Sequence, residues 1–356
     1  MKILIDIGHP AHVHYFRNFI KIMEGKGHEF LITARDKEVV FNLLDHYNIK
    51  YINRGKGGKS LIQKLIYIIK ADLIIFRSAL NFKPDIFLSF GSPYAAQVAF
   101  ITAKHHISFD DTDHAPFEHA MYVPFTKCII TPKAYLKDFK TKHIRLNSYM
   151  ELCSTHREYF TPDKNIHNEL NLKQGEKFVI IRLVSWNASH DINLKGLSNE
   201  GLKKIIHLLE SKYKILISSE EKLPTDLEKY HFNLEPYKMH QALYFSELVI
   251  GESLTMGIEA ITLGTPAFAI TTAKAGVTSE QISLGLFKKF ETEPPLIEEV
   301  KKFMDTDNYK ELLKYKAQAI LSKKTNITKF MVWFIENYPK SFNTLKNDPT
   351  FEQNFI

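Results

Sequence analysis

The 356-residue chain carries 47 Lys and Arg against 40 Asp and Glu, a formal net charge of +7, with 44% hydrophobic and 24% charged residues. Such a length is long for one hydrophobic core and predicts two domains, and the composition is that of a soluble globular protein without repeats or low-complexity segments. No run of about eighteen apolar residues occurs, and a strand-like segment, Met1-Lys2-Ile3-Leu4-Ile5-Asp6, opens the chain, so neither a signal peptide nor a transmembrane helix is expected.

Cys128 and Cys153 fall in no motif spacing and read as reduced thiols of a cytoplasmic protein. Charge is uneven. Residues 1–150 hold 21 Lys and Arg against 13 Asp and Glu, a net of +8, which leaves 26 against 27, a net of −1, for the remainder. A basic first half suits an anionic partner, whether membrane surface, lipid diphosphate or nucleic acid; it suits a solvated basic face equally well.

In chain order, apolar runs at 3–7, 30–34, 50–52, 85–90, 107–109 and 127–130 predict strands, with helical periods at 13–24, 37–46 and 61–82 between them. That alternation is the pattern of a mostly parallel α/β sheet. The loop Arg54-Gly55-Lys56-Gly57-Gly58-Lys59 lacks the Walker spacing and reads as a flexible, basic, acceptor-facing loop. In the 61–83 segment Lys64, Lys70, Arg77 and Lys83 stand among apolar residues. Most of the apolar ones are expected to be core that covers the sheet, with the charges as its solvent edge. A linker rich in Asn, Pro and charge covers roughly 146–172. Further strands are expected at 178–183, 214–218, 248–250 and 266–270, with helices between, and 327–338 is aromatic and apolar at helical spacing.

The most informative stretch runs from Gly251-Glu252-Ser253-Leu254-Thr255-Met256-Gly257-Ile258-Glu259 to Gly264-Thr265-Pro266. It lies between two buried-strand runs and starts a helix with hydroxyl residues suited to capping. A helix opened at the end of a strand presents free N–H groups and the positive end of its dipole, which is an anion site. Glu259 follows Thr255 by one turn on the same face and can accept two hydrogen bonds from a ribose diol while the helix start holds phosphates. The motif resembles the nucleotide-sugar site of GT-B-fold glycosyltransferases and of the non-hydrolysing UDP-N-acetylglucosamine 2-epimerases.

Other stretches resemble, in the same order, one family related to those enzymes, the domain of unknown function 354. Asp6-Ile7-Gly8-His9-Pro10-Ala11-His12-Val13-His14 is similar to its first strand–turn–helix, and Lys83-Pro84-Asp85 through Gly91-Ser92-Pro93 to its fourth-strand region. Asn147-Ser148-Tyr149-Met150-Glu151-Leu152 resembles its interdomain segment, Arg182 with Ala188-Ser189-His190-Asp191 its first second-domain loop, and Met239-His240 through Pro266 its nucleotide region. The resemblance implies an α/β GT-B fold of two Rossmann-like domains facing a cleft. An acceptor domain would cover 1–150, joined by C-terminal helices at about 327–356 that cross back to it, and a nucleotide-sugar domain would cover 165–326.

Roles follow residue by residue. Gly8 permits close backbone approach at a strand end, and His9, His12 and His14 crowd the same turn, of the kind that lines the cleft in open α/β sheets. His14, or next His12, has the pKa to deprotonate an acceptor hydroxyl; the three could also form a metal cluster, or fill turns and cap helices. Asp110-Asp111-Thr112-Asp113-His114 follows another strand. There Asp110 and Asp111 read as acid/base or acceptor-recognition groups, as a metal–diphosphate site, or as a solvated acidic loop. Arg182 is expected to fork onto a diphosphate, with His190 in the same region. Met239 belongs to the loop that brackets the nucleobase in these enzymes. Gly251, Ser253, Leu254, Thr255, Met256 and Glu259 form the nucleotide site, and Glu280 and Gln281 occupy the place of donor-sugar ligands.

The expected protein is a GT-B-type glycosyltransferase that moves a sugar from a UDP-sugar to a lipid- or saccharide-linked acceptor in cell-envelope polysaccharide synthesis. It would need no cofactor or metal beyond that co-substrate and no nucleic acid. It would be cytoplasmic, with weak peripheral contact through its charges at the inner face of the cytoplasmic membrane. A UDP-sugar 2-epimerase is the alternative, but that family's Gly-Asp-Thr after the fourth strand here reads Gly91-Ser92-Pro93, and its His-Arg-Arg-Glu-like loop reads Ser185-Trp186-Asn187-Ala188-Ser189-His190. A non-enzymatic polyanion-binding protein rests on the basic half alone.

Overall fold

The structure, a computed structural model, describes residues 1–58, 60–113, 115–184 and 196–356, with Leu61 and Leu65 as backbone only. It divides into two compact units: Met1–Ser154 with Ala275–Val277 and Lys324–Ile356, and Thr155–Lys274 with Thr278–Lys323.

Unit 1 alternates strand and helix: β1 (Lys2–Ile7), α1 (Pro10–Gly25), β2 (Glu29–Ala34), α2 (Val40–His46), β3 (Tyr51–Asn53), α3 (Leu61–Phe82), β4 (Ile86–Phe90), α4 (Pro93–Ile101), β5 (His105–Phe109), α5 (Pro116–Tyr122), β6 (Cys128–Pro132) and β7 (His143–Leu146). The strands form one sheet in the order β3-β2-β1-β4-β5-β6-β7, and every pair is parallel, with Ile5 level with Ile32 on one side and Leu88 on the other. Central strands β1 and β4 are near-continuous apolar runs because helices cover both faces of such a sheet.

Helix α1 begins three residues before its apolar period does. Pro10 suits the first turn, and His9 caps it by accepting a hydrogen bond from Ala11 N at 3.3 Å. Helix α2 begins three residues late, since Glu38 sits at φ 49°, outside helical geometry. Helix α3 meets the expectation of core only in part: Ile68, Ile74, Phe76 and Phe82 are half-buried beside its buried row, but five other apolar residues are not covered. Tyr67, Ala71, Ile75 and Ala79 form its buried row, whereas Ile62, Ile66, Ile69, Leu73 and Leu80 are exposed. A single helix lying on a sheet buries one stripe, and α3 has apolar residues on more of its circumference than that stripe can use.

Short helices α6 (Leu152–Thr155) and α7 (Ile166–Glu169) occupy the segment expected as a linker. Unit 2 continues with β8 (Phe178–Leu183), α8 (Asn199–Leu209), β9 (Lys214–Ser219), α9 (Met239–Phe245), β10 (Leu248–Gly251), α10 (Leu254–Thr262), β11 (Ala267–Ile270), α11 (Gly276–Ser283), β12 (Phe287–Phe290), α12 (Glu293–Asp305) and α13 (Tyr309–Leu321). Its parallel sheet has the order β12-β11-β10-β8-β9. Alternate residues feed opposite cores: Phe178 and Ile180 join Ile261 and Phe287, while Val179 and Ile181 join Ile205 and Phe268.

The chain then returns to unit 1 through α14 (Ile327–Glu336) and α15 (Lys340–Asn347). Phe330 and Phe334 are fully buried, α14 packs on α1, and Glu336 accepts from Lys26 Nζ at 2.7 Å. The return expected of the C-terminal helices is present. No helix among the described residues is long and apolar enough to cross a membrane.

Candidate nucleotide and acceptor sites

In unit 2 the strand order reverses between β8 and β10, the switch point where open α/β sheets bind ligands at strand C-termini. Gly251 ends β10 against β8; a Cβ there would stand 2.6 Å from Arg182 O, so only glycine lets the two strands approach at this level. Helix α10 follows at once. Ser253 Oγ caps it by accepting from Met256 N at 3.4 Å, and the first helical bond runs from Gly257 N to Ser253 O at 3.2 Å. The amides of Leu254 and Thr255 precede that bond, and residues 253–256 are partly exposed. The side chains of Leu254 and Met256 pack on the core, so what these positions offer a ligand is backbone N–H.

Glu259 lies one turn inside α10 and is buried, with Oε1 3.2 Å from His240 Nε2. His240 and Met239 open α9, and Met239 packs on the core beneath α10. The pair ties the start of α9 to α10. Arg182 is placed differently from a simple diphosphate fork. Its Nη1 donates to Ser218 Oγ at 2.9 Å and its Nη2 to Glu220 Oε1 at 2.5 Å, so an incoming phosphate would exchange for Glu220. Glu252 is buried and accepts from Val184 N at 2.8 Å and Leu197 N at 2.7 Å, so one carboxylate holds both amides. Residues 185–195 between them, His190 included, lie outside the described residues, as do Lys59 and His114.

Gln281 on α11 is fully buried, yet neither carboxamide atom has a hydrogen-bond partner among the described residues. Thr278, three residues earlier on the same helix, has a buried Oγ1 in the same condition. Buried polar groups without partners are rare and costly, which marks this helix face as one that a polar ligand would complete. Glu280 is partly exposed beside it.

In unit 1 the reversal falls between β1 and β4. Gly8 follows β1, Ser92 follows β4 and Asp110 follows the adjacent β5, so their turns share one edge of the sheet. His12 stacks on Phe90 with ring centroids 5.1 Å apart and accepts from Gly8 N through Nδ1 at 3.4 Å. Burial first, then the neighbouring His9, Lys37 and Arg54, holds its pKa well below the usual 6.5. A neutral imidazole that accepts at Nδ1 carries its proton on Nε2, which makes His12 a donor towards a bound oxygen. Arg54 Nη2 stands 3.6 Å from where a side chain at Gly8 would begin. His14 is set apart from that turn, buried edge-on to Tyr47 at 6.1 Å.

Beneath the turn, Asp6 is fully buried and accepts from Thr33 Oγ1 at 2.8 Å, Arg54 Nε at 2.8 Å and Ser92 Oγ at 2.5 Å. Arg54 also donates to the Tyr67 hydroxyl and lies over the Tyr94 ring at 4.6 Å. Ser92 in addition caps α4 through Ala95 N at 3.3 Å.

Asp110 is buried and takes a hydrogen bond of 2.5 Å from the Tyr122 hydroxyl and one of 2.8 Å from Thr112 N, with His119 Nε2 at 3.2 Å. Tyr135 continues that network to His119 at 2.9 Å. Asp111 is only half-buried, and burial together with the Asp110 charge pushes its pKa up to about 6. Asp110 is held by Tyr122, Thr112 and His119, while Asp111 accepts from Thr112 Oγ1 at 3.2 Å and has its carboxyl raised towards the neutral range. Among the described residues no group of three or more His, Cys, Asp or Glu is arranged to hold a metal ion.

The family model described as protein of unknown function DUF354 matches residues 1–313. The chain belongs to the DUF354 family. A relative, an uncharacterised protein of Methanocaldococcus jannaschii, is 26% identical over 272 residues, covering 73% of this chain and 78% of its own. Among solved structures, the UDP-GlcNAc 2-epimerase of Neisseria meningitidis, bound to UDP-GlcNAc, is similar with a TM-score of 0.65 at 16% identity over 95% of this chain and all of that one. The spinosyn rhamnosyltransferase SpnG, complexed with spinosyn aglycone, gives 0.61 at 13% identity over 95% and 100%. Two parallel α/β units with the last helices returned to the first give this DUF354 protein the GT-B fold of those neighbours.

Several residues that build these candidate sites were not singled out in the sequence. Asp6, Arg54, His119 and Tyr122 reach their partners across strands and helices. His119 and Tyr122 share one helix face at a spacing of three, the one local sign available. Glu252 stands inside the most informative motif, but its partners, the Val184 and Leu197 amides, lie 68 and 55 residues away.

Proposed function

We propose that this protein is a nucleotide-sugar-dependent glycosyltransferase that holds a UDP-sugar on unit 2 and an acceptor, lipid-linked or saccharide-linked, on unit 1, in cell-envelope polysaccharide synthesis. The observation that carries the reading is the open start of α10, with Glu259 one turn inside and held by His240. Diphosphate oxygens would take the Leu254 and Thr255 amides, the ribose diol would take Glu259, and Met239 with the 234–240 loop would flank the base. The unpartnered carboxamide of Gln281, with Glu280, would bind donor-sugar hydroxyls.

In the transfer the acceptor hydroxyl oxygen bonds to the anomeric carbon, the bond from that carbon to the β-phosphate oxygen breaks, and the nucleoside diphosphate leaves with the electron pair. The hydroxyl proton goes to a base. Asp111, with its pKa near 6, is better matched to that task than His12, which is held neutral as a donor, or than His14 and Asp110, which are packed into the unit. His12 Nε2 would orient the acceptor.

Epimerisation at C2 needs acid and base on opposite faces of the sugar. The hydroxyl of Ser92, where the epimerases carry an aspartate, is spent on Asp6 and on capping α4. Incubation with UDP-GlcNAc, with and without polyprenyl-diphosphate-linked or free saccharide acceptors, separates the two activities. UDP release that depends on an acceptor supports transfer; a C2 isomer formed without an acceptor would replace it with epimerisation.

A further inference from the structure

Helix α3 has an unpartnered face. Ile62, Ile66, Ile69, Leu73 and Leu80 are 72, 61, 64, 48 and 53% exposed. At about 100° per residue these five fall within roughly 60° of arc, opposite the buried row of Tyr67, Ala71, Ile75 and Ala79. They form one apolar stripe along a helix of 22 residues, and its middle, Ile66, Ile69 and Leu73, lines a shallow groove with Lys70, Ile74 and Arg77. Isolated exposed apolar residues are ordinary; a continuous row of branched aliphatic side chains is the mark of a surface that something covers.

The charges beside the stripe say what covers it. Lys70 and Arg77 border it on one side, Lys83 caps the C-terminal end of the helix, and none of them, nor Lys64, has a salt bridge among the described residues. Asp72, the one acidic residue of the helix, is half-buried on the flank opposite Lys70 and Arg77, so the basic margin lies on one side of the stripe. A second copy of this chain would bring two unneutralised basic margins together. An anionic surface neutralises them, and a bilayer also accepts the aliphatic side chains between them.

We propose that the outer face of α3 docks on an anionic lipid bilayer, with the isoleucine and leucine side chains entering the boundary between headgroups and acyl chains and the basic side chains meeting lipid phosphates. This goes beyond the nucleotide reading and stands independently of it. It also differs from binding through charge alone, because the stripe and not only its margin makes the contact.

The test is flotation of the full chain with vesicles of phosphatidylglycerol and phosphatidylcholine, against vesicles of phosphatidylcholine alone, at low and physiological salt. The double variant Ile66→Ser/Ile69→Ser removes the stripe, and Lys70→Gln/Arg77→Gln removes one margin. Thermal unfolding, which needs no nucleotide, checks that each variant is folded. The wild type should float with the anionic vesicles, and the stripe variant should lose about tenfold or more in bound fraction even at low salt. The margin variant should lose binding mainly at low salt, where the charges are least screened. Flotation of the stripe variant at the wild-type level would overturn the proposal, as would absence of flotation by the wild type. A wild-type dimer that the stripe variant dissolves, without vesicle binding, would assign the face to a second copy instead.

Discussion

His240 Nε2 lies 3.2 Å from Glu259 Oε1, and both side chains are buried at the start of one helix and one turn inside the next. The contact joins the start of α9 to α10, so the carboxylate proposed to meet the ribose is already oriented by the protein. A ligand group that depends on one rotamer gains from being held in it, because less freedom is lost on binding.

His240→Ala should therefore act through Glu259. Unit stability should fall by about 1–3 kcal/mol, since a buried carboxylate loses its partner. In a double-mutant cycle with Glu259→Gln, UDP affinity should show a coupling energy of at least about 0.5 kcal/mol. Additive losses would mean that the two residues serve the site separately.

Asp111→Asn should lower turnover by roughly two to four orders of magnitude while UDP still binds. The wild-type rate should rise with pH through about 6 as the carboxyl ionises to its basic form, and the variant should lack that limb. His14→Ala should instead loosen the packing of α1 against Tyr47 and cost more stability than turnover. The reverse pattern in these two variants would return the base to the histidine.

Asp6→Ala should be strongly destabilising, by about 3–5 kcal/mol, because it leaves the Arg54 guanidinium buried without its counter-charge. Chemical unfolding measures the loss. A change under about 1 kcal/mol would show that Thr33, Ser92 and Tyr67 support the turn without the ion pair.

His106 is fully buried between Ser89 Oγ at 2.9 Å and Thr126 Oγ1 at 2.8 Å, and burial pushes its pKa down to about 3. The unfolded chain takes up the proton first, near 6.5, so this group's contribution is complete above that pH. It is lost by up to about 1.4 kcal/mol per unit as pH falls from 6.5 towards 3. His106→Asn should unfold with a shallower dependence over that window. Equal slopes in the two proteins would place the acid sensitivity elsewhere.

Local features carried most of what the sequence disclosed. The α10 site was legible because a strand run, a capping serine and a carboxylate one turn on all lie within a dozen residues. The C-terminal return was legible through the aromatic helical period of 327–338. Directions and partners were not. Arg182 sits where a diphosphate clamp was expected, but only the structure shows its fork on Ser218 and Glu220. Strand β12, Phe287-Lys288-Lys289-Phe290, escaped notice because an edge strand with two lysines does not read as an apolar run. Helix α3 was evident as a helix, yet with apolar residues on several sides its period did not reveal which row would meet the sheet. The locked state of Asp110 depends on Tyr122 and His119 from α5, a relationship that tertiary packing alone creates.

Titration calorimetry of UDP into the wild type and Glu259→Ala, with thermal unfolding of both as the check on folding, tests the central claim most directly. The account predicts measurable UDP binding by the wild type and a loss of about 1–3 kcal/mol in the variant, the range for a charged hydrogen bond to the ligand. Equal affinities in two folded proteins, or no UDP binding by the wild type, would contradict it.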